Sequence, residues 1–268
     1  MHGVQIRPRA SAPARPGGDH TNAAATYDEW APPPHLADDV ACLWWSSFGD
    51  RSPILPDGCL DIMVTPDRAV VAGPDTRAWT SSIPVGMVIH GIRFRPGRAP
   101  RILGVPAADL RDQRVDLADL WGSAAARQVV DQVNTDPRRF APLVTVRRDH
   151  AMAPEVDCEI DHAVRTLLAG DARLGEVLGD VGLSERQLRR RFTARVGYGP
   201  ALFVRVVRML RIRHLARIAP AASLADLAAT TGYADQSHLA RDCRDLAGMS
   251  ATSLLRRPAQ DSATEHVA

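Results

Sequence analysis

Two segments in the C-terminal third of the chain repeat one pattern at an offset of 50 residues: Leu174 to Gly197 and Leu224 to Gly248. In each segment, apolar residues recur at helical spacing and stop at a glycine, Gly182 in the first copy and Gly232 in the second. Glycine accepts the positive φ of a sharp turn, so a second helix can follow at a large angle. The repeat therefore predicts two helix-turn-helix units and an all-helical fold for this part of the chain.

The second helix of each unit has a recognisable start and two distinct faces. Ser184 can cap the first of these helices, and Asp235 or Ser237 the other, because their side-chain oxygens accept hydrogen bonds from first-turn N–H groups. Apolar residues four positions apart mark the inward face: Leu188 and Phe192 in the first unit, Leu239 and Cys243 in the second. The outward face carries polar and charged residues: Arg186, Gln187, Arg189 and Arg190 in the first unit, Gln236, Ser237, His238 and Arg241 in the second.

The side chains on these outward faces are of the types that contact bases and phosphates in DNA. Guanidinium groups match guanine edges and phosphates, and a helix-turn-helix places the start of its second helix in the major groove. One arginine run on a helix is usually a solvated face, but a second polar face behind a second glycine turn favours contact with double-stranded promoter DNA.

Residues 201–218 form a predicted helix of about 27 Å between the units, long enough to hold them in successive grooves roughly 34 Å apart. Three arginines of this helix are candidates for phosphate contacts: Arg205, Arg208 and Arg211. The alternative for these arginines is a purely solubilising role.

Residues 172–257 resemble a known family of regulators through a set of matching positions. They are Gly182-Leu183-Ser184, Leu188, Arg190, Phe192, Gly197, Gly199-Pro200, Val207-Arg208-Met209-Leu210, Ala228, Gly232-Tyr233, the run from Asp235 to Arg241, and Gly248. This segment is similar to the DNA-binding domain of AraC/XylS-type transcription regulators, in which a long helix joins two helix-turn-helix motifs. The resemblance implies base contacts for Arg186, Arg189, Arg190, Ser237, His238 and Arg241.

Several positions depart from the family pattern. Leu178 stands where the family usually has a small residue, and Gly175 and Gly179 each weaken the same helix by about 1 kcal/mol relative to alanine. Cys243 and Ala247 replace aromatic residues in the second unit. We therefore expect a looser support helix in the first unit and a thinner core in the second.

Charge divides the chain into a basic and an acidic part. Residues 171–257 hold 15 arginines and 8 acidic residues, whereas the remaining residues hold 18 and 23. A basic segment fits phosphate binding, and the acidic remainder points to a different task. We expect a disordered tail at 1–26, a sensory or dimerisation domain at 27–150, a DNA-binding domain at 151–257 and a second tail at 258–268.

The N-terminal half is predicted to be mainly β, because short apolar runs alternate with Pro/Gly turns. Candidate strands are Val40–Phe48, Cys59–Val64, Ala69–Ala72 and Met87–Phe94, and candidate helices are Ala107–Leu110, Leu117–Trp121 and Ser123–Val133. The phrases LPDGCLDIMV (from Leu55), VAGPDTR (from Val71) and the stretch from Gly91 to Gly122 resemble an uncharacterised domain of bacterial AraC-type regulators. By analogy with better-known members, this resemblance implies a cupin-like barrel with a sensory role, and hence an α+β protein overall.

An effector pocket in this half would be lined by aromatic and charged residues: Trp44, Trp45, Asp61, Trp79, Arg93 and Arg95. Of these, Trp44, Asp61, Trp79 and Arg93 are the predicted effector-binding residues. The alternative is ordinary core packing for the tryptophans and, for Arg93 and Arg95, the solvent face of a half-buried sheet.

Other function classes have little support in the sequence. His35 and His90 are far apart, and Cys42, Cys59, Cys158 and Cys243 lack metal-ligand spacing, so we expect core thiols and no metal, cofactor or catalytic role. No apolar run reaches the roughly 20 residues of a membrane span, and the first 25 residues lack the apolar stretch of a signal peptide, which favours the cytoplasm.

We therefore expect a sequence-specific transcription regulator that responds to a small-molecule effector through its N-terminal domain. The alternative is an effector-independent regulator whose N-terminal domain only dimerises or binds a protein partner. Expected partners are promoter DNA, a second copy of the chain and, for an activator, RNA polymerase.

Overall fold

The computed structural model describes residues 26–47, 53–150, 157–170 and 174–256. The predicted tails at 1–26 and 258–268 lie outside these residues, apart from Thr26, which begins the first strand. An α+β architecture is confirmed, with a mainly β region followed by a helical region. No helix in the described part of the chain is long and apolar enough to cross a membrane.

The N-terminal region is built on one antiparallel sheet and a short ribbon. The strands are β1 (Thr26–Trp30), β2 (Val40–Ser47), β3 (Pro53–Ile54), β4 (Leu60–Val64), β5 (Ala69–Ala72), β6 (Trp79–Thr80), β7 (Val88–Phe94) and β8 (Arg114–Asp116). Six of them form a sheet in the order β1-β2-β7-β4-β5-β8, and β3 pairs with β6. In the described residues the main sheet has two edge strands, β1 and β8, and the β3–β6 pair forms a separate ribbon.

One face of the sheet is covered by helices, and the other lines a pocket. Side chains alternate between faces along a strand. One face, with Ile62 and Ile92 fully buried, packs against helices of the same region. The other face presents Trp44, Asp61 and Arg93 from three adjacent strands, and these residues line a pocket.

Four helices cover the apolar face of the sheet: α1 (Pro100–Leu103), α2 (Leu117–Trp121), α3 (Ser123–Thr135) and α4 (Phe140–His150). The sequence pattern indicated α2 and α3 but neither α1 nor α4. The apolar residues Phe140, Ala141 and Val144 of α4 join the core of the sheet.

The C-terminal region contains seven helices in the described residues: α5 (Cys158–Ala169), α6 (Leu174–Val181), α7 (Glu185–Val196), α8 (Pro200–Ile218), α9 (Leu224–Thr230), α10 (Gln236–Ala247) and α11 (Ala251–Arg256). α6 and α7 form the first helix-turn-helix unit, and α9 and α10 form the second. The turns contain Gly182 at φ +63° and Gly232 at φ +78°, as their sequence positions predicted.

One hydrophobic core supports both units. It extends from Ile160 on α5 to Leu254 on α11 and includes α8, the predicted joining helix. Phe192 meets Phe203 edge to face at 5.4 Å between ring centroids. Cys243 and Ala247 are buried as expected, whereas Cys158 is exposed and so is not the core thiol that we expected.

Candidate nucleic-acid interface

The first recognition helix, α7, begins with a reciprocal cap. Ser184 Oγ accepts from the Gln187 N–H at 3.3 Å, and Gln187 Oε1 accepts from the Ser184 N–H at 3.0 Å and from the Ser184 hydroxyl at 2.8 Å. Two otherwise unpaired N–H groups at the helix start are thereby satisfied. Gln187, predicted as a DNA-binding residue of the outward face, is therefore occupied as a capping residue in this structure.

The exposed face of α7 carries three arginines, Arg186, Arg189 and Arg190. Leu188 and Phe192 on the opposite face are buried in the core, which fixes the direction in which the arginines project. None of the three arginines has a hydrogen bond or ion pair to another described residue, so their guanidinium groups remain available for an external anion or base edge.

The inward end of α7 is held by ion pairs that the sequence reasoning missed. Arg191 pairs with Asp157 and Glu159. Arg195 is buried and lies 3.3 Å from Asp161, whose other oxygen lies 2.9 Å from Arg98 of the N-terminal region. Arg191 and Arg195 follow the buried Leu188 by three and seven residues, which places all three on one side of a helix. This spacing is the signal that could have assigned both arginines to the inward side.

The second recognition helix, α10, is capped by Asp235, whose carboxylate accepts from the His238 N–H at 2.7 Å. Gln236, Ser237 and Arg241 are exposed on its outward face. Of the two capping candidates, Asp235 fills the role.

His238 and Arg241 are already engaged within the protein. His238 meets the Tyr233 ring edge to face at 5.1 Å, and its Nδ1 lies 3.4 Å from the Ala234 N–H. The Arg241 Nε donates to the Ser237 carbonyl at 3.4 Å. Two side chains of the second face are therefore held by contacts within the protein. The three arginines of the first face have no such contacts among the described residues.

The three arginines of α8 have different surroundings. Arg205 pairs with Asp242 at 2.8 Å and with Asp245 at 2.7 Å, so it braces α8 against α10. Arg208 lies over the Tyr233 ring at 5.8 Å. With Arg211 they line a groove of about 630 Å³ between the two units.

The four predicted effector residues lie together in the N-terminal region. Trp44, Asp61, Trp79 and Arg93 line one pocket on the polar face of the sheet, whereas Trp45 and Arg95 are not among its lining residues. Arg93 is buried and bonds Asp61, which excludes the solvent-exposed alternative for this residue. Burial lowers the pKa of Arg93, but Asp61 and Asp57 outweigh it, so the guanidinium stays charged.

Comparison with known families decides the class of the protein. A helix-turn-helix domain model matches residues 178–257, and a domain of unknown function, DUF6597, matches residues 28–116. The protein is a DNA-binding transcription regulator with an AraC-type domain. The matched helix-turn-helix segment contains both recognition helices of this AraC-type regulator, α7 and α10.

Solved structures of ToxT from Vibrio cholerae resemble this AraC-type regulator at low identity. An apo form, carrying one lysine-to-alanine substitution, is 9% identical over 88% of this chain and 97% of that chain, with a TM-score of 0.41. The form bound to an unsaturated fatty acid is 10% identical over 87% and 94%, with a TM-score of 0.38. No curated protein matches the chain.

The thiols of the AraC-type regulator lie in unreactive surroundings in its N-terminal region. Burial raises the pKa of Cys42 to about 12 and that of Cys59 well above its usual range, so both stay protonated at neutral pH. Within the described ranges, no group of three His, Cys, Asp or Glu side chains is arranged to hold a metal ion.

Proposed function

We propose that this regulator recognises a bipartite promoter sequence, with α7 in one major groove and α10 in the next. The observation that carries this proposal is the pair of exposed polar faces, each on a capped helix that follows a positive-φ glycine. Arg186, Arg189 and Arg190 are the proposed contacts of the first unit, and Gln236, Ser237, His238 and Arg241 those of the second.

Among the α8 arginines, Arg208 and Arg211 remain proposed phosphate contacts, whereas Arg205 has a different role. Arg205 already satisfies two carboxylates, and releasing it would leave the nearly buried Asp242 without its partner. We therefore assign Arg205 to bracing the second unit.

We further propose that a small effector in the N-terminal pocket alters how the two units engage DNA. Pocket-lining loops also touch the helical region: Gly58 follows the lining residue Asp57 and sits against Phe203, where an added Cβ would lie 2.8 Å from the ring. The Ala78 N–H, next to the lining Trp79, donates to the Leu246 carbonyl at the end of α10 at 2.6 Å. A ligand that moved these loops would therefore change their contacts with Phe203 of α8 and with Leu246 of α10.

Selection of bound sequences from random DNA, followed by footprinting of the full chain, tests the DNA-binding proposal. We expect two protected segments about one helical turn apart. A single protected segment, or equal affinity for selected and random DNA, would contradict bipartite reading.

A thermal-shift screen of the full chain with metabolites tests effector binding, because a ligand of the folded state raises the unfolding midpoint. A compound that raises the midpoint and changes operator affinity supports the proposal. Absence of such a compound would favour the alternative in which the N-terminal region only pairs two copies or binds a protein partner. Pairing of two copies and contact with RNA polymerase stay predictions.

A further inference from the structure

One loop of the N-terminal region touches both recognition helices at their C-terminal ends. This bridging loop, residues 73–78, joins β5 to β6. Near its start, the Pro74 ring packs on Gly197, the C-cap of α7, where an added Cβ would lie 2.3 Å from Pro74 Cγ. At its end, the Ala78 N–H donates to the Leu246 carbonyl in the last turn of α10 at 2.6 Å. The ends of α7 and α10 are therefore connected through one short loop.

The start of the bridging loop is closely packed. Pro74 is buried, and the Gly197 position that it contacts also lies against the Ala107 carbonyl oxygen, 3.2 Å from an added Cβ. Gly73, the preceding residue, packs on the Leu110 carbonyl so closely that an added Cβ would lie 1.6 Å from its oxygen. Close-packed contacts of this kind transmit a displacement instead of absorbing it. A shift of the loop would therefore be felt at the end of α7.

Two side chains of the neighbouring segment hold the bridging loop in its shape. Asp112 accepts from the Thr76 N–H at 2.7 Å and from the Thr76 hydroxyl at 2.9 Å, and its own N–H donates to the Pro74 carbonyl at 3.2 Å. Arg114 of β8 donates to the two oxygens of Asp75 at 3.0 and 2.7 Å. Asp112 has a φ of +57°, a conformation that few residue types adopt readily. These bonds fix the loop between its two contacts.

The bridging loop is a second connection between units that the chain joins only through α8. Both units pack into one core with α8. A single joining helix leaves the units free to tilt about it, whereas a connection between the ends of α7 and α10 restricts that tilt. Because B-DNA completes one turn in about 10–10.5 base pairs, one inserted base pair rotates one half-site by roughly 34° relative to the other. Two readers held at a fixed angle accept only one separation of half-sites.

We propose that the bridging loop sets the separation of DNA half-sites that this regulator accepts, with Pro74 and Asp112 as positioning residues. Both residues act through the ends of α7 and α10 and not by touching DNA. The proposal rests on the bipartite recognition proposed above, since it names what fixes the geometry of that recognition. Gly73 and Asp75 also line the N-terminal pocket, so the loop lies between this pocket and both recognition helices.

Operators with altered spacing test the proposal in the unmodified chain. One base pair is inserted or deleted between the two halves of the selected operator, and fluorescence anisotropy measures the affinity of the full chain. We expect either change to weaken binding at least about tenfold, because one half no longer faces its helix. A smaller loss would overturn the proposal.

The variant Asp112→Gly tests the bridging loop itself. It removes the carboxylate that holds Thr76 and accepts the positive φ, so the change in spacing should now weaken binding less than about threefold. Asp112→Asn keeps one acceptor oxygen and should restore the spacing penalty of the unmodified chain. The matched control is Asp67→Gly, which removes an exposed aspartate bonded to the Thr65 hydroxyl in the turn between β4 and β5. An undiminished penalty in Asp112→Gly, or an equal reduction in Asp67→Gly, would overturn the assignment.

The variant Pro74→Ala tests the contact with α7. It removes the ring atom that packs on Gly197 and leaves Asp112 in place, so it decides the question even where Asp112→Gly does not fold. We expect the spacing penalty to fall below about threefold in this variant as well. A penalty equal to that of the unmodified chain would show that the loop does not set the separation.

Base changes inside each half distinguish this proposal from bipartite recognition. If base changes in both halves weaken binding but altered spacing does not, bipartite recognition stands and the role of the bridging loop fails. If base changes matter in one half only, bipartite recognition fails and the role of the loop fails with it.

Discussion

The two helix-turn-helix units share a backbone plan but differ in what holds them and in what they offer to DNA. The first has three arginines on its outer face without partners among the described residues, and its inner end is tied by ion pairs through Asp157 and Asp161. The second has a more compact face in which His238 and Arg241 are already in contact with neighbouring groups.

This difference indicates a division of labour. Exposed arginines without partners inside the protein gain most from phosphate proximity and counterion release, so the first unit should contribute more of the salt-dependent affinity. Side chains that are ordered before binding lose less entropy in the complex, so the second should contribute more of the discrimination between bases.

The largest expected difference between the units is in folding stability. Asp161→Ala leaves the buried Arg195 unpaired and removes the link to Arg98, and we expect a loss of about 3–5 kcal/mol in the free energy of unfolding. Asp242→Ala should cost less, about 1–2 kcal/mol, because Arg205 is one-third exposed and keeps Asp245. Urea unfolding of the full chain measures both, and equal losses would remove the claim that the first unit is the more firmly anchored.

Valine at the turn glycines should disable the units one at a time. Gly232→Val places a β-branched residue at positive φ, which costs about 1–3 kcal/mol and distorts the turn of the second unit. Footprints should lose the half protected by α10, and Gly182→Val should lose the other half. Unchanged circular dichroism and full protection in either variant would refute the turn assignment.

Substitutions in α6, the first helix of the first unit, are expected to raise the free energy of unfolding. Gly179 is exposed on α6 and nothing lies within 4 Å of an added Cβ, so Gly179→Ala should stabilise the chain by about 0.5–1 kcal/mol. Gly175→Ala meets the same open surroundings and serves as a repeat of the experiment. A lower urea midpoint for both variants would show that α6 needs glycine for a reason other than weak propensity.

The smallest effect concerns the two glutamines of the recognition helices. Gln187→Ala removes half of the reciprocal cap and should cost roughly 0.5–1 kcal/mol in stability without changing base preference. Gln236→Ala, on the exposed face, should leave stability unchanged and alter base preference in selections from random DNA. The reverse pattern would assign base reading to Gln187.

The sequence predicted most of the helical region because its signals are local. Gly182, Gly232, Ser184 and Asp235 specify turns and caps through their own backbone preferences, and apolar spacing orients α7 and α10. Four of the eight described strands were also found with their ends within one residue. The edge strands β1 and β8 were missed because their short segments lack a continuous alternating pattern.

Long-range pairings could not be predicted from one sequence. The Arg98–Asp161–Arg195 cluster joins residues from three distant segments, and no local pattern encodes it. Arg93 was assigned to the pocket on its residue type, but its burial depends on Asp57 and Asp61 folding against it. The strand order of the sheet likewise depends on pairings between distant segments, which no local pattern specifies.

The most direct test of the central claim, that α7 and α10 read separate halves of one site, uses Arg190→Ala and Arg241→Ala. Fluorescence anisotropy would measure the affinity of each variant for the selected operator and for operators with base changes in one half. Each variant should lose about 1–3 kcal/mol and become insensitive to base changes in one half only, with Arg190 and Arg241 assigned to different halves. Loss of sensitivity in the same half, or in neither, would contradict the account.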